Sequence, residues 1–284
     1  MIAMRIRGGL GNQLFQYATG RAVAHRLGVP LALDLRDWAQ DRPYAMSLEH
    51  FNVSHVEPEN LPPGKGDSFV EMLGKVLRAR WMTVYREATM GYDPGIERLT
   101  DNTLLKGYWQ SERYFARAGD VIREDLSFKT PPGEETARLL EEIAPRPAVS
   151  LHIRRGDYVS NAKYNAAHGT AGLDYYARAA EAVAERMAQE PVFYAFSDDP
   201  AWVRENLQLP FELNFVTHNT GATAHDDLRL MAACRHHIIA NSSFSWWGAW
   251  LNPRKDKVVV APKRWYAGEG RDNPDITPAG WLRL

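Results

Sequence analysis

The segment His152-Ile153-Arg154-Arg155-Gly156-Asp157-Tyr158 is the part of this 284-residue chain best equipped for chemistry. Val149, Leu151 and Ile153 alternate with Ser150, His152 and Arg154, the two-residue period of a β-strand, so His152 and Arg154 share one face near a strand's end. A guanidinium is a planar fork that fits two phosphate oxygens at once. A nucleoside diphosphate leaving without a metal needs such a charge, and a fixed arginine stabilises it most as the bond breaks. The competing reading is structural, an ion pair such as Arg155 with Asp157. The expectation is one arginine of each kind.

Further clusters follow predicted strands in the same way. Ser197-Asp198-Asp199-Pro200 closes the strand ending at Phe196. Its carboxylates could accept from ribose hydroxyls or from the N–H edge of guanine, could hold a divalent metal, or could cap a helix that opens on Pro200. In Asn241-Ser242-Ser243-Phe244-Ser245-Trp246-Trp247-Gly248-Ala249-Trp250, hydroxyls and N–H groups at a helix start suit phosphate. The tryptophans read mainly as core. In Gly8-Gly9-Leu10-Gly11-Asn12-Gln13 a glycine turn between strand and helix lets backbone approach an anion or sugar. It lacks the third glycine of the dinucleotide fingerprint and serves equally as a tight turn. Asp226 or Asp227 reads as a helix cap.

The elements that position these clusters form a β-α-β rhythm. Ile2 to Ile6 is a strand, Gln13 to Leu27 a helix and Leu31 to Asp34 a strand. Thr103 to Lys106 reads as a strand, with helices near 112–124 and 134–144. Residues 38–100 give no clear pattern. In the second half Val149–Ile153, Val192–Phe196, Phe215-Val216, His237–Ala240 and Lys257–Ala261 read as strands. Leu173, Tyr176, Ala180, Val183 and Met187 mark one face of a helix, and Asp226 to Arg235 reads as another. The turn Ala144-Pro145-Arg146-Pro147 sets the boundary, giving domains 1–145 and 146–284. Two such units predict two Rossmann-like domains facing each other, with ligands beyond the carboxyl ends of the strands.

Composition sets outer bounds. The chain is 45% hydrophobic and 24% charged, as for a folded soluble protein. Its net charge of −1 gives no global case for nucleic acid, so anion binding must be local. The single cysteine, Cys234, excludes an intrachain disulfide and reads as a core thiol. No run matches a signal peptide or a membrane span. The expectation is a cytoplasmic protein, peripheral at the inner membrane if its acceptor is lipid-linked.

At these motifs the chain resembles the bacterial α-1,2-fucosyltransferases of glycosyltransferase family 11. Gly8-Gly9-Leu10-Gly11-Asn12-Gln13-Leu14-Phe15-Gln16-Tyr17-Ala18 looks like their opening motif. His152 to Tyr158 is similar to a donor-binding motif shared with α-1,6- and protein O-fucosyltransferases. Gly107-Tyr108-Trp109-Gln110-Ser111-Glu112-Arg113-Tyr114-Phe115 and the segment Asn241 to Trp250 are also similar, in the family's order. The resemblance implies an α/β fold of the GT-B type, with an acceptor-side domain followed by a GDP-fucose domain. It implies L-fucose transfer from GDP-fucose to the 2-hydroxyl of a β-galactoside, on an oligosaccharide or a lipid-linked glycan, with inversion and with no metal or other cofactor. It places Arg154 on the diphosphate, with Arg155 and Asp157 shaping the site and Asn12 near the fucose. It places His152 and Asp198 or Asp199 on the nucleoside, Ser243, Phe244 and Ser245 against the phosphates or base, and Gly9, Gly11, Asn241 and Ser242 along the donor. Asp157, a carboxylate between arginines, would be a poor general base. The alternatives are another GT-B nucleotide-sugar transferase, a non-catalytic glycan-binding protein and a Rossmann oxidoreductase.

Overall fold

The computed structural model describes residues 1–36, 45–63, 81–156, 169–268 and 272–284. The chain divides into two compact units, Met1–Lys129 and Thr130–Leu284. The division falls at the earlier proline-glycine turn, Pro131-Pro132-Gly133, and corrects the boundary expected at residue 145. The reason is packing. The helix Glu134–Ile143 sends Leu139, Leu140 and Ile143 onto a core of Phe196, Val216, Leu230 and Met231, which belongs to the second unit.

The first unit contains β1 (Ile2–Arg5), α1 (Leu10–Leu27), β2 (Leu31–Asp34), β3 (Thr83–Arg86), β4 (Thr103–Lys106) and α2 (Gly119–Asp125). Its sheet has the order β2-β1-β4-β3, parallel throughout. Helix α1 is buried along most of its length, so its polar side chains need partners inside. Gln13 finds three, donating to the carbonyls of Gly8 and Ala45 and accepting from the Ser47 N–H. Gln16 accepts from the Arg7 N–H and donates to the Gly107 carbonyl. The helix expected over 112–124 is two single turns, Glu112–Tyr114 and Ala116–Ala118, followed by α2.

The second unit contains α3 (Glu134–Ile143), β5 (Ala148–Ile153), α4 (Leu173–Ala184), β6 (Val192–Ser197), α5 (Pro200–Asn206), β7 (Glu212–Val216), α6 (Ala224–Ala233), β8 (His236–Ile238), α7 (Ser243–Leu251), β9 (Val259–Ala261) and β10 (Leu282–Arg283). Its sheet, β10-β9-β8-β5-β6-β7, is again all parallel. Both faces are covered, as parallel sheets require. Phe193 and Ala195 of β6 face α4 and α5, while Tyr194 and Phe196 face α3 and α6. Tyr176, Ala180 and Val183 of α4 are in the core as the periodicity predicts, but Leu173 is exposed and Met187 lies past the helix end.

Helix α7 packs tightly on α6. A Cβ at Gly248 would stand 2.8 Å from that of Met231, so only glycine permits the approach. The C-terminal end of α7 is pinned by Lys257, whose ammonium donates to the Ala249 carbonyl, the favourable sign for a helix C-terminus. Beyond it, Asn252 donates to the Cys234 carbonyl and to Nε2 of the buried His237. Nε2 therefore accepts, and Nδ1–H of the neutral ring donates to Ser150 Oγ at 2.8 Å. Burial, then the charges of Lys257 and His236, hold His237 well below its ordinary pKa.

In the first unit Asp34 is fully buried at the end of β2 and pairs with Arg5 at 2.6 Å and Arg36 at 3.0 Å. Burial alone would raise its carboxyl, but the hydrogen bond from Arg36 and the charges of Arg5 and Arg36 outweigh it and hold it below the ordinary 3.8. A lowered carboxyl stabilises the fold above its unfolded pKa and loses that contribution as pH falls through the folded value. Asp34→Ala removes the buried carboxylate that Arg5 and Arg36 both face, and breaking such a buried pair costs about 3–5 kcal/mol. Thermal unfolding of the variant should show a large fall in midpoint at neutral pH that narrows in acid below pH 3.8.

Candidate active site

Strands β8, β5 and β6 are neighbours, so the segments that follow them meet at one carboxyl edge of the second sheet. This brings together three of the clusters singled out by sequence. Arg154 leaves β5 and pairs through Nη1 with Asp198 Oδ2 at 2.9 Å, both side chains 26% exposed. Asp198 Oδ1 also accepts the Arg155 N–H at 2.8 Å. The Arg155 side chain turns to α5. Its Nε donates to Asp199 Oδ2 at 3.3 Å, and its guanidinium carbon lies 3.4 Å from the centre of the Trp202 ring. Asp199 is also the N-cap of α5, accepting the Trp202 N–H. Both arginines are thus paired with carboxylates at this edge, Arg155 additionally packed on Trp202. The partner of Arg155 is Asp199. Asp157, offered as its structural partner and as a site residue, lies outside the described residues.

Asp198 and Asp199, one of which was expected to hold the nucleoside, are both engaged by arginines. Gly156 makes this possible. A Cβ there would collide with Asp198 Oδ2 and come within 2.9 Å of its Cγ.

His152, the penultimate residue of β5, is 4% exposed, and its Nδ1 is buried without a hydrogen-bond partner among the described residues. Burial lowers its pKa to about 4, reinforced by Arg154 and opposed by Asp198. The ring is neutral at physiological pH and stands 5.7 Å from the Phe244 ring. Asn241 is buried and donates to the carbonyls of Gly169 and Trp265. Ser242 caps α7 by accepting the Phe244 N–H, and Ser245 Oγ donates back to the Ser242 carbonyl. Ser243 and Phe244 are half-buried at the helix start. Trp246, Trp247 and Trp250 all pack in the core.

Asp226 and Asp227 correct their reading as caps. The cap of α6 is Thr223, and both aspartates stand in the first turn. Asp226 accepts the Gly133 N–H and pairs with Arg229. Asp227 accepts from Asn219 in the turn after β7. Burial, with the neighbouring Asp226, raises Asp227 to about 6 despite the Asn219 hydrogen bond. A carboxylate pair placed just after a strand and turn was the signal for it.

The first unit has its own carboxyl edge. Gly8, at φ +79°, turns the chain into α1, Gly9 is the N-cap and Gly11 is buried in the first turn. The N–H groups of such a turn lack intrahelical acceptors. Asn12 is half-buried, and its Oδ1 accepts from Gln110 at 2.8 Å. Glu87, at the end of β3, accepts the N–H groups of Tyr108 and Trp109 at 2.7 and 2.9 Å. Burial holds its carboxyl above the ordinary value against those two hydrogen bonds. The Arg7 guanidinium lies 4.5 Å over the exposed Tyr108 ring. Glu87 in the first unit and Trp202 in the second hold their edges and were not read from sequence.

Residues 98–284 match glycosyl transferase family 11. The chain belongs to that family. It is 32% identical to an alpha-1,2-colitosyltransferase of Escherichia coli, over 100% of this chain and 99% of that protein. It is 27% identical to galactoside alpha-(1,2)-fucosyltransferase 1 of Rattus norvegicus, over 86% of this chain and 61% of that longer protein. A solved NodZ alpha-1,6-fucosyltransferase soaked with GDP-fucose superposes with a TM-score of 0.52 at 17% identity, covering 96% of this chain and 99% of that one. Family 11 membership makes this a glycosyltransferase, and the two Rossmann-like units are those of the GT-B type. Among the described residues no helix is long and apolar enough to cross a membrane.

Gly156→Ala should push the Asp198 carboxylate from both its partners. Turnover should fall about 10²-fold, as for misplacement of a group by about 1 Å, while the thermal midpoint stays within a few degrees. A rate assay beside a melting curve checks both.

Proposed function

We propose that this glycosyltransferase moves L-fucose from GDP-fucose to the 2-hydroxyl of a β-galactoside, on an oligosaccharide or a lipid-linked glycan, with inversion and without a divalent metal. The observation that carries the reading is Arg154, held at the carboxyl edge of a parallel sheet by a carboxylate it can exchange for a phosphate. The kinship with an alpha-1,2-colitosyltransferase and an alpha-(1,2)-fucosyltransferase supports the linkage and the sugar class.

In the proposed reaction the acceptor oxygen attacks the anomeric carbon from the face opposite GDP. The bond to the β-phosphate oxygen breaks through a loose, oxocarbenium-like state, and its electron pair leaves with that oxygen. The guanidinium of Arg154, released from Asp198, takes up the growing charge in a site where preorganised donors act strongly. The departing phosphate accepts the acceptor's proton. Arg155, clamped between Asp199 and Trp202, keeps the loop in place. His152 and Phe244 offer a neutral donor or acceptor and an aromatic face to the nucleoside, and the start of α7 lies beside the phosphates. A metal has no role in this reading, because Arg154 meets the charge of the departing diphosphate.

The colitosyltransferase relative supports a second reading, in which the sugar is colitose. GDP release should be measured with GDP-fucose, GDP-colitose and GDP-mannose, a β-galactoside acceptor and excess chelator. The expected result is turnover of GDP-fucose in chelator, an α-1,2 product by NMR, and a loss of about 10²–10³-fold in Arg154→Ala with the melting curve unchanged. A preference for GDP-colitose would move the reading to the second sugar. Loss of turnover in chelator, or full activity in Arg154→Ala, would overturn the mechanism.

A further inference from the structure

Asn12 and Gln110 lie 98 residues apart in sequence and meet at the carboxyl edge of the first sheet. An amide side chain has two unlike ends, an acceptor oxygen and a doubly donating nitrogen. The Gln110 Nε2–H donates to Asn12 Oδ1 at 2.8 Å. That hydrogen bond occupies the oxygen end and directs the NH₂ end of Asn12 elsewhere. The nitrogen lies close to Gly8, where a Cβ would stand 2.9 Å from it. Gly8 thus supplies a left-handed turn and also leaves room for the amide.

Gln110 is itself held by construction. The turn that delivers it follows β4 and is fastened from two sides, by Glu87 on the N–H groups of Tyr108 and Trp109 and by Gln16 on the Gly107 carbonyl. Trp109 sits at φ +58°, a conformation a bulky residue adopts only when its surroundings enforce it. Its ring is fully buried, stacked near Tyr85 and edge-on to Tyr114. The backbone before Gln110 is therefore rigid, and the side chain that follows is aimed at Asn12.

We propose that Gln110 is a positioning residue: it fixes which end of the Asn12 amide is presented, so that Asn12 offers N–H donors rather than a carbonyl to an oxygen of the nucleotide sugar. The inference rests on the proposed reaction and on the further proposal, drawn from the family resemblance, that Asn12 lies near the transferred sugar. Diphosphate and sugar oxygens are acceptors, and negative charge grows on the leaving oxygen. An N–H there helps, and a carbonyl there opposes the reaction.

Gln110→Glu tests it, because the change is nearly isosteric and reverses the polarity. A carboxylate at 110 can only accept, so the Asn12 NH₂ would turn to it and the carbonyl would face the substrate. Gln110→Ala leaves either orientation open. The expected order of kcat is wild type, then Gln110→Ala down about tenfold, then Gln110→Glu down about 10²-fold, with KM for the nucleotide sugar within about threefold. A packing role alone predicts the reverse order, since alanine opens a gap and glutamate does not. A charge effect alone would lower kcat in Gln110→Glu but leave Gln110→Ala at the wild-type rate. Either of those results, or full activity in Gln110→Glu, would overturn the proposal.

A second readout needs no substrate. With glutamine side chains labelled with ¹⁵N, the Gln110 NH₂ signals should move in Asn12→Ala and stay in Asn12→Asp, which keeps the accepting oxygen. No movement in Asn12→Ala would overturn the proposal. If the wild type turns over none of the nucleotide sugars, the proposed reaction fails while the spectra still decide whether Gln110 holds Asn12.

Discussion

The pairing of two guanidinium groups with two adjacent carboxylates at the end of one parallel sheet is the constraint on which the site depends. Ion pairs as exposed as Arg154 with Asp198, each 26% accessible, contribute at most about 1 kcal/mol to stability. Their value here is geometric. Asp198 holds Arg154 at the edge and fastens the backbone of Arg155 in the same step. Asp199 holds the Arg155 side chain against Trp202 while capping α5. One loop and one helix start are joined by two carboxylates, and Asp198 takes the space a Cβ at Gly156 would fill.

The rest of the second unit keeps that edge rigid. The sheet is buried on both faces, and α7 is fixed by the close approach at Gly248 and by the Lys257, Asn252 and His237 contacts beyond its C-terminal end. The first turn of α7 is held both by its own Ser242 cap and the Asn241 anchors and by these contacts at its far end. The first unit follows the same logic with different chemistry. There Asp34 anchors two arginines in the interior, and amide side chains along α1 tie the glycine turn to the ends of neighbouring strands.

Much of this was legible in sequence because parallel α/β units repeat a strong local signal. The strand at Val149 alternates apolar with polar residues, the strand at Val192 is an apolar run, and a polar cluster follows each. The family motifs carried the expected roles to single residues. Strand β3 was not legible: Thr83-Val84-Tyr85-Arg86 is an edge strand, mostly exposed, so no alternation of buried and exposed residues marks it. The boundary at Lys129 was missed because α3 looks the same on either side of a division, and only its contacts decide. Trp202 and Glu87 were missed because their roles depend on partners far away in sequence. Nothing near Trp202 announces Arg155, and nothing near Glu87 announces the turn at Tyr108.

The central claim is that Arg154 exchanges Asp198 for a phosphate. A crystal structure with GDP bound measures this directly. The account predicts a guanidinium nitrogen of Arg154 at about 2.7–3.2 Å from a diphosphate oxygen, with the pair to Asp198 lengthened or broken and Arg155 still seated between Asp199 and Trp202. A diphosphate bound elsewhere, with Arg154 still 2.9 Å from Asp198 as in the free protein, would contradict it.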